Sequence, residues 1–190
     1  MNRELNVTGL ILAGGAGRRV GKRDKGLIPW QGQALVAHVS NVLRPQVSEL
    51  LISCNRNFSQ YEEFSDLIIA DHRQNFQGPL AGLEAAFSSI RTELLVVVAC
   101  DTPYLPEDLV SRLIAPLSDT TDDAPEIAYA HDGVRAQYLC AVIRRACLSP
   151  LTLYLDEGHR AVRDWYKTRR AVAVDFSDSQ SNFKNYNRLA

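Results

Sequence analysis

Apolar positions in this chain gather into short, largely unbroken runs separated by amphipathic stretches. The runs are Val7 to Ala13, Leu50 to Ser53, Leu67 to Ala70 and Leu94 to Ala99. Strands apolar on consecutive positions belong to a sheet covered by helices on both faces. Between them, Ala34 to Leu43 reads as a helix, and Leu80, Leu83, Phe87 and Ile90 recur at helical spacing. Pro106-Glu107-Asp108 opens another helix, because proline suits a first turn and acids complement the helix dipole. Its buried face is Leu109, Val110, Leu113, Ile114 and Leu117, and the polar stretch Ser118 to Pro125 reads as a surface loop. Ile127 to His131 and Gln137 to Ile143 read as later strands around Asp132-Gly133. Ala146 to Leu155 and Ala161 to Lys167 read as helices, and Ala171 to Asp175 as a last strand. This strand-then-helix rhythm predicts a single three-layer α/β/α domain over residues 1–190 with a mostly parallel sheet. Ligands of such sheets bind outside the carboxyl ends of the strands. Four features fall there: a glycine loop after Ala13, Asn55, Asp71 and Asp101.

Composition narrows the class. Hydrophobic residues make up 46% of the 190, charged residues 23%, and the net charge is −1. These proportions suit a globular protein with a full core and give no basic excess for nucleic acid. The run from Leu94 to Cys100 is far too short to span a bilayer, and no signal-like apolar stretch precedes Ile11. A cytoplasmic protein without a membrane partner is expected. The cysteines at 54, 100, 140 and 147 form no CxxC pair and no zinc spacing with histidine, so they read as reduced, mostly buried thiols. His38, His72 and His131 read as structural or solvent-facing, and no Ser-His-Asp or Cys-His triad order stands out.

Three motifs carry chemistry. Seven of the 11 glycines lie in the first 32 residues, and Gly14-Gly15-Ala16-Gly17 is followed by Arg18, Arg19, Lys22, Arg23 and Lys25. Glycines let a backbone approach a ligand, and exposed N–H groups with nearby cations match a polyphosphate. The loop is neither a GxxxxGK[ST] nor a clean GxGxxG. Cys100-Asp101-Thr102-Pro103 follows the most apolar strand and places a carboxylate where Mg²⁺ could join it to phosphate oxygens; an Asp capping the next turn is the plainer reading. Gly78-Pro79-Leu80-Ala81-Gly82 starts a helix, with Gly78 and Gly82 leaving room for a base or ribose, or else serving as a cap and a close helix–sheet contact. Asn55 and Asp71 could bond a base edge or a ribose hydroxyl, or could be turn residues.

Together these motifs resemble the molybdenum cofactor guanylyltransferase family. The resemblance rests on Leu10 to Leu27 (LILAGGAGRRVGKRDKGL), GPLAG at 78–82, CDTP at 100–103, HDG-x-R at 131–135, and Phe183, Asn185 and Asn187 near the end. It covers almost the whole chain. The chain departs from the family pattern at Ser53, Tyr138 and Arg188. The resemblance implies a Rossmann-like nucleotidyltransferase fold. It implies GMP transfer from MgGTP to the terminal phosphate of molybdopterin, with the guanine dinucleotide cofactor and pyrophosphate as products. It implies GTP-binding roles for Leu12, Ala13, Gly14, Lys25, Asp71 and Asp101, and Gly15, Asn55, Gly78, Gly82, Asn185 and Asn187 join them as candidate cofactor-binding residues. Asp101 would be the Mg²⁺ ligand, and Asp101, Lys25 and Arg19 the catalytic set. GTP and molybdopterin are the implied partners, with room for transient contacts with cofactor-delivery or molybdoenzyme proteins. The rival readings are the same transfer from CTP, another small-molecule nucleotidylyltransferase, and a carrier that binds pterin or nucleotide without reaction.

Overall fold

The computed structural model describes residues 6–15, 23–74, 77–118, 121 and 123–186. Nine strands and six α-helices are found among them. They run β1 (Val7–Leu12), β2 (Pro29–Trp30), β3 (Gln33–Ala34), α1 (Leu35–Leu43), β4 (Glu49–Ser53), α2 (Phe58–Tyr61), β5 (Leu67–Ile69) and α3 (Pro79–Ala86), then β6 (Leu94–Ala99), α4 (Leu109–Ile114), β7 (Ile127–His131), β8 (Ala136–Arg144), α5 (Leu151–Asp156), α6 (Val162–Lys167) and β9 (Ala171–Asp175). Seven strands form one sheet in the order β5-β4-β1-β6-β8-β7-β9, and β2 and β3 make a separate hairpin. Four of its six pairings are parallel, as the strand–helix rhythm predicts; β8 runs antiparallel to both its neighbours, β6 and β7.

The apolar strands work as their pattern requires. Along β6, Val96 and Val98 pack to one face, and Leu95 and Val97 to the other, all with no exposed surface. That is the two-residue period of a strand buried on both sides. The first face is covered by α1 and α4 through Val36, Val39, Leu43, Leu109 and Leu113. The second is covered by α3, α5 and α6 through Leu80, Leu83, Leu151, Leu155 and Trp165. Cys54, Cys100, Cys140 and Cys147 are all free and buried.

α3 ends at Ala86, short of Phe87 and Ile90, and two further helices differ from expectation, each for a local reason. Ala146 to Leu155 is not continuous: a 3₁₀ turn over Arg145–Leu148 ends before Pro150, and α5 starts beyond it. Proline has no N–H and its ring clashes with the carbonyl four residues back, so it opens a helix but does not continue one. The segment from Pro106 turns first, with the Leu109 N–H bonded to the Pro106 carbonyl at 3.2 Å, and becomes α-helical only at Leu109. Ile114 is half-buried there, whereas Leu109, Val110, Leu113 and Leu117 are buried as expected.

The Asp132-Gly133 turn joins β7 to β8. Gly133 has φ +87°, a conformation glycine adopts without strain. Asp132 Oδ1 accepts the N–H groups of Val134 at 2.9 Å and Arg135 at 2.7 Å, and Oδ2 accepts Gln137 Nε2 at 2.6 Å. Burial acts to raise this carboxyl, but the Arg135 and Val134 amides and Gln137 outweigh it and hold it below its ordinary value. Asp132→Ala strands those donors, and we expect a loss of about 1–3 kcal/mol in urea unfolding at pH 7. A carboxyl lowered on folding contributes stability that is full above its unfolded value near pH 4 and lost as pH falls through the folded one. The gap between wild type and variant should therefore narrow only in acid below about pH 4.

Candidate active site

In chain order, β1, β4 and β5 step outward on one side, and β6 returns to the other side of β1. The strand order therefore reverses between β1 and β6, and the crevice lies at such a switch point. The loop after β1 carries Ala13, Gly14 and Gly15; the turn after β6 carries Cys100 and Asp101. Between them and the start of α3 is a cavity of about 390 Å³. Its walls include Leu12, Ala13, Gly14, Gly15, Lys25, Asp71, Gly78, Gly82 and Asp101. Nine of the twelve expected binding residues thus share one cavity. Asn55 stands beside it, and Asn185 lies against the Asp101 loop. Asn187 and Arg19 lie outside the described residues.

The electrostatic centre is Lys25 with Asp101. Lys25 begins a 3₁₀ turn, and its ammonium donates to Asp101 Oδ2. Asp101 is only 9% exposed, and its Oδ1 is buried with no hydrogen-bond partner among the described residues. A buried, unsatisfied carboxylate oxygen costs free energy unless a donor or cation reaches it.

Lys25 is held from behind. Asp24 accepts Tyr61 OH at Oδ1 and Asn57 Nδ2 at 3.0 Å at Oδ2, while Arg56 donates to the Arg23 carbonyl at 2.9 Å. Gly26 lies flat on Tyr61: a Cβ there would stand 2.5 Å from the Tyr61 oxygen. Tyr61 has no exposed surface, and burial raises its phenol well above the usual range, so it stays a donor.

Asn55 and Asp71 form a bracket. Asn55 Nδ2 donates to the Gly14 carbonyl at 3.3 Å and to Asp71 Oδ2 at 2.8 Å, while Asn55 Oδ1 accepts the Asp71 N–H at 2.9 Å. Both amide hydrogens and the amide oxygen of Asn55 are thus engaged within the protein, tying the glycine loop to the end of β5. Asp71 keeps acceptor capacity toward the cavity, with Ser53 Oγ at 3.4 Å from its Oδ1. The two GPLAG glycines differ. Gly78 has φ +89° and open space where a side chain would stand, at the cavity rim. Gly82 is a close helix–sheet contact: a Cβ would meet Ser53 Oγ at 2.7 Å and Leu12 Cδ2 at 2.8 Å.

The thiols offer no nucleophile. Burial pushes Cys54 and Cys140 up to about 12 and Cys100 higher still, so they stay protonated near neutrality. The described histidines form no dyad with them: His38 Nε2 pairs with the Trp30 carbonyl at 2.8 Å, and His131 Nδ1 accepts the Gly133 N–H at 3.2 Å.

Sequence reasoning missed Leu139, which lines the cavity from antiparallel β8, and an aromatic group beside Asp101. The Tyr186 N–H bonds the Asp101 carbonyl at 2.9 Å, and Thr102 Oγ1 lies 3.4 Å from Asn185 Oδ1. The Tyr186 ring lies 4.1 Å from Trp30 and 5.9 Å from Tyr104 between centroids, and Trp30 Nε1 donates to Tyr104 OH at 3.0 Å. No local sequence pattern announces a contact that spans 156 residues.

A glycine loop and a carboxylate facing each other across the switch point of a Rossmann-like sheet form a crevice suited to a nucleotide. The MobA-like NTP transferase domain model matches residues 9–173. A molybdenum cofactor guanylyltransferase from Shewanella piezotolerans is 40% identical over 96% of this chain and 88% of its own length. The crystal structure of molybdopterin-guanine dinucleotide biosynthesis protein A from Archaeoglobus fulgidus superposes with TM-score 0.73 at 21% identity, over 95% of this chain and 92% of that one. A 4-diphosphocytidyl-2C-methyl-D-erythritol synthase from Anaerococcus prevotii shares the fold with TM-score 0.70 at 9% identity, over 96% and 90%. The chain belongs to the MobA-like nucleotidyltransferases and, within them, to the molybdenum cofactor guanylyltransferase family. No helix among the described residues is long and apolar enough to cross a membrane.

Proposed function

We propose that this enzyme transfers GMP from MgGTP to the terminal phosphate of molybdopterin, releasing pyrophosphate, and that it does so in the cytoplasm. The observation that carries the reading is the Lys25–Asp101 pair at the switch point, with Asp101 Oδ1 buried and without a partner among the described residues. That oxygen and its charge fit a hard divalent cation, since Mg²⁺ takes one or two protein carboxylates and completes its shell with phosphate oxygens and water. Bound there, the metal would supply charge neutralisation at the phosphates.

The chain's own residues do the rest by positioning and electrostatics. A molybdopterin phosphate oxygen bonds to the α-phosphorus, and the bond from that phosphorus to the bridging oxygen of the β-phosphate breaks in line, with the electron pair leaving on pyrophosphate. We assign Lys25, the Gly14 and Gly15 backbone and Arg19 to the charge that grows on the departing pyrophosphate; the first three line the cavity. Asp71 and the space at Gly78 serve the nucleoside, with Asn55 holding the loops that frame it. Asn185, against Thr102, serves the acceptor side together with Asn187.

Pyrophosphate release from GTP and molybdopterin tests transfer against mere carriage. Titration of GTP and CTP in Mg²⁺ buffer tests the base: we expect CTP to bind at least about tenfold more weakly, because a site built for one base's hydrogen bonds leaves polar groups unpaired with another. Equal affinity would remove guanine from the reading and leave the enzyme class intact.

A further inference from the structure

A second concavity, of about 670 Å³, opens beside the Asp101 loop and shares no wall residue with the nucleotide cavity. Tyr104 and Tyr186 line it together with Pro103, and Trp30 backs them through its contacts with both rings. Glu107 and Lys184, both exposed, stand on the same wall. We infer that this cleft receives the flat heteroaromatic ring of the acceptor, which packs into the corner that the Tyr104 and Tyr186 rings make at 66° to each other, stacked on one and meeting the edge of the other, while Glu107 reads its amino-pyrimidinone edge. The inference rests on the proposed transfer to a pterin phosphate.

Five observations support one occupant. The cleft adjoins the reaction centre: the Tyr186 N–H is bonded to the Asp101 carbonyl, and Pro103 and Tyr104 follow two and three residues after Asp101. Three residues span at most about 10 Å of chain, so a ring held here leaves its phosphate tail within reach of Asp101. Aromatic walls with apolar flanks suit a planar ligand, because stacking tolerates any π-face. A carboxylate beside such a wall suits the adjacent N–H and NH₂ donors of a 2-amino-4-oxopyrimidine edge, which its two oxygens can accept side by side. Lys184 gives the same wall a cation for an anionic tail. The wall is tied in place by Trp30 Nε1 to Tyr104 OH at 3.0 Å and by the 4.1 Å contact of Trp30 with Tyr186, so it is formed before a ligand arrives.

Steady-state kinetics with GTP and molybdopterin test it. Glu107→Gln keeps the exposed side chain's shape and removes the charge; it should raise the molybdopterin KM about tenfold, with kcat at saturation and the GTP Kd unchanged. Tyr186→Leu should raise the same KM at least fivefold, and Tyr186→Phe should restore it, because stacking needs the ring and not the hydroxyl. A molybdopterin KM unchanged in both Glu107→Gln and Tyr186→Leu would overturn the inference. So would a Tyr186→Leu variant that loses GTP affinity in proportion, since the residue would then only hold the Asp101 loop. Failure of the underlying reading looks different: the wild type itself would release no pyrophosphate with molybdopterin.

Discussion

Asp101→Asn leaves a folded protein whose transfer rate falls by about 10³-fold or more. The carboxylate stands at the carboxyl end of β6, 9% exposed, with one oxygen on Lys25 and the other without a partner among the described residues. Asn has nearly the same volume, so the packing around β6 is kept. The Asp101 backbone carbonyl still accepts the Tyr186 N–H, which needs nothing from the side chain. Lys25, with 21% of its side chain exposed, can take water in place of the lost partner. What disappears is the negative charge that a hard cation requires. Several kcal/mol of charge stabilisation on the leaving pyrophosphate go with it, and each 1.4 kcal/mol is tenfold in rate. If Asp101 only shaped the turn before Thr102, Asn would replace it at little cost, because Asn and Asp cap turns about equally. Circular dichroism together with a pyrophosphate-release assay separates the two: a folded variant with near-normal turnover takes Asp101 out of the reaction centre.

The position of that carboxylate was readable because Leu94 to Ala99 is apolar at every position. A run of six apolar residues rich in valine fits a strand covered on both faces, and a chain that leaves such a strand emerges at the sheet's carboxyl edge. The same logic placed the glycine loop, Asn55 and Asp71 on that edge. It could not give the role of Asn55, since the bonds that engage its amide come from Gly14 and Asp71, 41 and 16 residues away. Nor could periodicity find the β2–β3 hairpin, whose strands have two residues each; its sign was the turn Gln31-Gly32, both with positive φ. The antiparallel run of β8, which brings Leu139 to the cavity, follows from the tight Asp132-Gly133 turn. Such a turn reverses the chain, and a parallel partner would need a crossover of a dozen residues or more. Ala146 to Leu155 has the apolar spacing of one helix, and Pro150 in its middle was the signal that should have divided it.

Lys25→Ala should move two measurements in opposite directions. Lys25 is presented by a turn pinned through Asp24 to Tyr61 and through Gly26 to the Tyr61 ring, and its ammonium rests on Asp101. When MgGTP enters, that ammonium must exchange a carboxylate oxygen for phosphate oxygens. Removing it costs the transition state a fixed cation, and the loss of one such donor is worth about 2–4 kcal/mol, or roughly 10²–10³ in kcat/KM. Removing it also frees Asp101 of a competitor. The pair is largely buried, so its loss leaves the Asp101 charge uncompensated, and a divalent cation alone should bind the variant at least about threefold more tightly than wild type. Mn²⁺ titration without nucleotide reads the second effect, and steady-state pyrophosphate release reads the first. A lysine that merely belongs to a solvated basic face would leave both unchanged. A lysine needed only to hold the loop would weaken Mn²⁺ binding along with turnover, because Asp101 would lose its setting. Slower transfer with tighter Mn²⁺ binding is expected only if Lys25 leaves Asp101 for the phosphates when the nucleotide arrives.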